Sequence, residues 1–141
     1  MSDQERFNCW QYPDIKDGMP TRYQWMVQYL AGFELAPKTD IGAFTYINAK
    51  YGVVIEEGVQ IGSHCSLYSV STIDKKQGRI ILKRKCKIGS HTTIMPGVTV
   101  GTNSVVGAHS FVTHDIPPDA LAFGVPARVV RFLSTGLKVD E

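Results

Sequence analysis

Aliphatic residues recur every six positions through the C-terminal half of this chain: Ile88, Ile94, Val100, Val106 and Val112. Small or polar residues fill the intervals, and a glycine follows Ile88, Val100 and Val106. A period of six matches neither an amphipathic helix nor an alternating strand. It predicts a solenoid in which each hexapeptide forms one flat face and one turn. The pattern continues upstream through Ile41 and Ile47, then through Ile55, Ile61, Leu67 and Ile73. Two extra residues separate Ile47 from Ile55, and three separate Ile73 from Leu82. With three faces per turn, the spacing predicts buried columns at 41/61/82/100, 47/67/88/106 and 55/73/94/112. Cys65, Thr92, Val98, Ser104 and Ser110 each lie two residues before an aliphatic position, where small side chains suit tight corners. Glycines after the aliphatic positions ease turns in which a Cβ would be crowded.

The flanks break this rhythm. Thr21 to Ala31 places Tyr23, Met26, Val27 and Leu30 on one helical face, with Thr21 as a cap and Gly32 as a stop. Such a helix would cover the apolar end of the solenoid, as repeat proteins require. The polar stretch Asp74 to Arg79 predicts a loop projecting from a corner. Two prolines in Asp115-Ile116-Pro117-Pro118-Asp119 end the ladder, and Arg128 to Leu133 then packs back along the outside. The resulting division is a cap at 1–40 with one helix, an all-β solenoid at 41–116 and a C-terminal extension at 117–141.

Composition narrows the classes. A chain of 141 residues with 43% hydrophobic and 20% charged residues builds one folded domain. The net charge of +2 and the single basic cluster Lys83-Arg84-Lys85 with Lys87 point away from nucleic acid. The opening MSDQERFNCW lacks a basic and an apolar signal region, and no apolar run approaches the roughly 20 residues needed to span a bilayer. The expected compartment is the cytoplasm, without membrane association. Cys9, Cys65 and Cys86 are odd in number and lack metal-ligand spacing, so Cys65 reads as a small buried hydrophobe.

Several segments together resemble the hexapeptide-repeat acyltransferases, in particular their galactoside and maltose acetyltransferase branch. They are Ile88-Gly89-Ser90-His91, Met95-Pro96-Gly97-Val98-Thr99-Val100-Gly101, Asn103-Ser104-Val105-Val106-Gly107-Ala108, Val112-Thr113-His114-Asp115-Ile116-Pro117 and Phe123-Gly124-Val125-Pro126-Ala127-Arg128-Val129-Val130. The resemblance implies a left-handed parallel β-helix and a homotrimer with acetyl-CoA held between subunits. It also implies CoA contacts at Ser90, Ala108, Thr113, His114, Arg128 and Arg131, with Asn48 touching a sugar acceptor. The acceptor expected by this analogy is a sugar or nucleotide-linked amino sugar, in the making of a surface polysaccharide. His114 stands where such relatives carry Lys.

Acetyl transfer from a thioester needs a base, an oxyanion donor and close positioning of both substrates. In galactoside-type relatives the base is a His on a loop after the position of Ile73. The loop Asp74 to Arg79 holds no His. His91, beside Ser90, is therefore the first candidate base. His64, at the analogous corner of another column, is the second, and His109 repeats the place of His91 one coil later. The missing loop His favours an amine acceptor, which can bind unprotonated, over a hydroxyl. Two other readings compete. His91, His109 and His114 resemble the zinc-ligand spacing of γ-class carbonic anhydrases, a metalloenzyme reading, and a trimeric scaffold without activity would also tolerate the missing base. The ending Gly-Val-Pro-Ala-Arg favours the acyltransferase, with acetyl-CoA and no metal.

Overall fold

In the computed structural model, which describes residues 1–133, each six-residue step becomes one short strand and one turn. The first coil holds β1 (Met26–Gln28), β2 (Phe33–Leu35) and β3 (Asp40–Ile41). The second holds β4 (Tyr46–Asn48), β5 (Val53–Ile55) and β6 (Gln60–Ile61). The third begins with β7 (Ser66–Tyr68) and detours through an antiparallel hairpin of β8 (Val70–Ser71) and β9 (Lys76–Gln77). It resumes with β10 (Ile80–Leu82) and β11 (Lys87–Ile88). The fourth contains β12 (Thr93–Ile94), β13 (Thr99–Val100) and β14 (Val105–Val106). The fifth contains β15 (Phe111–Val112), a bridge from Ile116 to Val100, and β16 (Ala120–Gly124). Last, β17 (Ala127–Phe132) folds back antiparallel onto β16.

Strands from successive coils pair in parallel to make three faces of a left-handed β-helix. The first face is β1-β4-β7-β12-β15, the second β2-β5-β10-β13, and the third β3-β6-β11-β14-β16 with β17 at its edge. Each rung turns at least one residue inward, and β5 and β10 turn two, Val53 with Ile55 and Ile80 with Leu82. Val27, Ile47, Leu67, Ile94 and Val112 stack behind the first face, all fully buried. Leu35, Ile55, Leu82 and Val100 line the second, and Ile41, Ile61, Ile88, Val106 and Ala122 line the third. Burying these continuous columns supplies the main driving force for folding.

The columns differ from the predicted ones after Leu67. Ile73, expected inside, lies on the turn of the β8–β9 hairpin and is 96% exposed. The chain leaves the prism at Ser69 and returns at Ile80, so Leu82 stacks under Ile55 and every later residue shifts one face along. Spacing alone does not distinguish an excursion at a corner from a missing rung. The corner prediction holds: Cys65, Thr92, Val98, Ser104 and Ser110 are all buried. Several corner hydroxyls bond the carbonyls they face, Thr92 Oγ1 and Ser110 Oγ donating to Gly107 O at 3.2 and 2.7 Å.

The N-terminal helix lies elsewhere than predicted. Thr21–Ala31 is not helical; it contains β1 and a 3₁₀ turn at Leu30–Gly32. Gln24 and Tyr29 have φ of 70° and 61°, which interrupt any helix, and Val27 is drawn into register with Ile47. Tertiary pairing overrides the local helical period. Thr21 Oγ1 accepts from Tyr23 N at 3.2 Å in a local turn, in place of a helix cap. The helix that forms is α1 (Asp3–Arg6), started by a reciprocal Ser2–Glu5 capping box and tied to β3 by an Arg6–Asp40 ion pair. The parallel ladder thus begins at Met26 and runs through Ala122, beyond the 41–116 span at both ends. Residues 134–141 of the expected extension lie outside the described residues.

Candidate active site

The turn joining the third face to the first brings a column of rings together. Phe44, His64, His91 and His109 each sit three residues past an inward aliphatic, with φ between 58° and 66°. Such left-handed backbone is uncommon without glycine. Here the preceding coil holds it: His64 N donates to Ala43 O at 2.9 Å, His91 N to Ser63 O at 3.0 Å, and His109 N to Ser90 O at 2.9 Å. Side chains at equivalent positions therefore stack. His64 and His91 lie 4.7 Å apart, centroid to centroid, with planes 6° off parallel, and His91 and His109 lie 4.8 Å apart at 5°. Phe44 closes the column 5.1 Å from His64. His64 is thus in the same column as His91, and the prediction of a different column fails for the reason that displaces Leu82.

Ser90 and Ala108 occupy matching places on successive coils of this corner, one residue before His91 and His109. Their backbones crowd the coil beneath. A Cβ at Gly62 would stand 2.6 Å from Ser90 N, and one at Gly89 2.5 Å from Ala108 N. Small side chains along this edge leave a strip where an extended ligand can run against the backbone. The remaining predicted donor contacts lie across the first face. Thr113 Oγ1 bonds His114 Nδ1 at 2.9 Å, and His114 and Arg128 line a shallow groove with Asp115, Ile116 and Val129. Arg128 is exposed, its Nη1 donating to Ala127 O at 3.0 Å, and Arg131 lies on β17 opposite Leu121. One prism therefore presents Ser90 and Ala108 at the corner entering its first face, Thr113 and His114 at the corner leaving it, and the two arginines on β17 at the edge of the third face.

His114 stands apart from the imidazole column. The stacked rings of His91 and His109 point side by side, too far apart for both to reach one ion at the roughly 2.0–2.1 Å of a Zn–N bond. Among the described residues no group of three or more His, Cys, Asp or Glu has metal-binding geometry. The zinc triad of His91, His109 and His114 does not assemble.

Asn48 lies on the outer side of β4, half-buried. Its Oδ1 accepts from Lys50 N at 3.1 Å, and its Nδ2 donates to the Tyr46 hydroxyl at 3.5 Å. That hydroxyl also bonds Gln28 Oε1, and the Tyr46 ring lies 6.0 Å from Tyr68. Partial burial raises the Tyr46 phenol above its ordinary pKa; the Asn48 contact opposes this, and the nearby Tyr68 and Tyr29 add to it. The hydroxyl stays neutral near pH 7. Tyr46, Tyr68 and Lys50 were not singled out by the sequence reading. The signal was present, since Tyr46 and Tyr68 directly flank inward residues and so must face outward.

The comparisons with known proteins agree with this architecture. Residues 79–114 match a family profile described as bacterial transferase hexapeptide (six repeats). Galactoside O-acetyltransferase of Escherichia coli K12 is 37% identical over 114 residues, covering 70% of this chain and 56% of that protein. A hexapeptide-repeat acetyltransferase of Vibrio cholerae, solved with acetyl coenzyme A, superimposes with a TM-score of 0.75 at 26% identity, covering 94% of this chain and 74% of the other. A galactoside acetyltransferase in complex with coenzyme A gives 0.72 at 29% identity, with 83% and 67% covered. The chain spans about half the length of the curated relatives it matches first. Five coils of inward aliphatics, their tight glycine corners and these matches lead to one conclusion: the chain belongs to the hexapeptide-repeat acyltransferase family.

Proposed function

We propose that this chain transfers an acetyl group from acetyl-CoA to an amino or hydroxyl group of a sugar, working as a cytoplasmic homotrimer in surface-polysaccharide synthesis. The carrying observation is the exposed imidazole column beside Ser90 and Ala108. It sets a titratable base next to a strip that accepts an extended thioester. Ser90, Ala108, Thr113, His114, Arg128 and Arg131 would hold CoA, with the arginines meeting its phosphates. Because these residues divide between two corners of the first face and the edge strand β17, a groove between adjoining prisms unites them more readily than one prism alone.

In this reading His91 takes the proton from the acceptor as its nitrogen or oxygen attacks the thioester carbonyl. The carbon–sulfur bond then breaks, and the CoA thiolate recovers the proton from His91. His64, stacked directly on His91, is the alternative base. The hairpin carries no His, and an amine that enters unprotonated demands less of a base than a hydroxyl. Amino acceptors are favoured for that reason.

Acetyl-CoA at a hundredfold excess over its Kd should stabilise the fold by about 2.7 kcal/mol, read as a raised Tm. His91→Ala should keep that stabilisation and lose turnover by roughly 10²-fold or more. Normal turnover in His91→Ala would move the base to His64, and no thermal response to acetyl-CoA would overturn the reading.

A further inference from the structure

The first coil departs from the others at one corner. Two residues before the inward residue of the first face, the later coils carry Thr45, Cys65, Thr92 and Ser110, and the first carries Trp25. An indole fills far more space than those small side chains. Trp25 is still buried, at 3% exposed, and with Leu35 and Ile41 it lines a cavity of about 240 Å³ at the N-terminal end of the prism. The N-terminal arm supplies further wall through Phe7, Trp10 and Pro13, and Tyr23 joins it from the turn before β1.

A cap that served only to cover the first rung would close this space, since a void forfeits packing contacts. Here the arm holds it open. Trp10 Nε1 donates to Thr39 O at 2.6 Å, and the Trp10 ring meets Tyr12 edge-on, their centroids 4.8 Å apart at 72°. The indole is thereby fixed as a wall. Aromatic walls favour a flat ring stacked or set edge-on against them. An apolar cavity of roughly 150 Å³ accommodates benzene, so this space suits one or two fused rings. Its charged residues, Arg6 and Asp40, pair with each other and leave no net charge of either sign for a ligand to answer. Gln11 also lines the cavity, and its amide has no partner among the described residues. That amide offers a carbonyl acceptor and N–H donors to one edge of a ring.

We infer that this cavity is a binding site for a neutral, planar heteroaromatic molecule of one or two fused rings. The ring packs against Trp10, Tyr23 and Trp25, with its hydrogen-bonding edge on Gln11. The site is separate from the one proposed for acetyl transfer. It belongs to the first coil, whereas Ser90 and Ala108 lie on the turns into the fourth and fifth. A ring bound here leaves the donor strip free.

The chain has two tryptophans, Trp10 and Trp25, and both line the cavity, so intrinsic fluorescence reads its occupancy directly. The exposed thiol of Cys9 lines it as well, and its rate of labelling gives a second readout. The full chain is titrated with hypoxanthine and uracil, as neutral planar probes of two rings and one. The controls are benzoate, benzylamine and cyclohexanecarboxamide: a planar anion, a planar cation and a neutral ring that is not flat. Hypoxanthine or uracil should change the emission saturably, bind about tenfold or more tighter than every control and slow the labelling of Cys9. Gln11→Ala should weaken that probe about fivefold with no change in Tm. Saturating CoA should leave its affinity as it was. Four results each overturn the inference: no saturable response to either probe, a control that binds as well, wild-type affinity in Gln11→Ala, or displacement of the probe by CoA.

Discussion

Two of the three cysteine thiols are shut away at corners of the prism, Cys65 at the histidine corner and Cys86 at the turn between the second and third faces. Cys65 is 1% exposed, and burial lifts its pKa above the ordinary range, with hydrogen-bond partners around it opposing the rise. Burial pushes Cys86 further, to about 12, Lys87 offsetting only part of the effect. Thiolate is the reactive form, so neither residue reacts readily near pH 8. A thiol reagent at that pH should label only Cys9 in the folded protein and all three cysteines in denaturant. Fast labelling of a second thiol would contradict the burial. The folded-state pKa of Cys86 is raised, so the fold retains a proton that the unfolded chain releases above about 9. This contribution is present below pH 9 and is lost progressively as pH rises from 9 toward 12.

Glycine at the histidine corner is set by clearance between coils. A Cβ at Gly89 would meet Ala108 N at 2.5 Å and Ala108 Cα at 2.8 Å, both backbone atoms that cannot swing aside. Gly89→Ala should cost about 1–3 kcal/mol as overpacking, read from the denaturant midpoint. An unchanged midpoint would mean that the coils separate at little cost.

At the level of strands and turns, the rungs are interchangeable inside and individual outside. Leu67 is fully buried behind the first face, whereas Ile73, six residues later, is 96% exposed on the hairpin. Leu67→Ala should lose about 2–5 kcal/mol by leaving a cavity. Ile73→Ala should stay within about 0.5 kcal/mol of wild type. Equal losses would restore Ile73 to the interior. The pair also shows what the sequence reveals and what it hides. The period of six exposed the rungs and the small corner residues, because every coil repeats the same steric demand. It misplaced the columns after Leu67 because an apolar residue on the hairpin happened to continue the count. The true first rung, around Val27, was hidden because the stretch from Tyr23 to Leu30 also satisfies a helical period. The stacking of His91 on His109 followed from their equal offsets. Tyr46, Tyr68 and Lys50 belong to no repeat motif; only the coiled geometry brings them side by side.

For the molecule as a whole, the proposed site depends on more than one edge of the prism. Ser90 and Ala108 lie at the histidine corner, while His114 and Arg128 share a groove at the other end of the face, against β17. If both groups hold CoA, Arg128→Ala should raise the Kd for acetyl-CoA about tenfold or more with no change in Tm of the free protein. Arg128 is exposed and its guanidinium bonds the carbonyl of its neighbour Ala127, so its loss leaves packing intact. Unaltered affinity would remove β17 from the donor site. The chain also contains, among the described residues, no helix long and apolar enough to cross a membrane.

The reversal of β17 against β16 has a bearing on self-association. A stack of parallel rungs is an open template at each end, ready to accept another rung in the same direction. β17 runs the opposite way along the third face, so the last edge there is that of an antiparallel strand. The third face thus closes on a strand of opposite direction, an edge unlike the parallel rungs behind it.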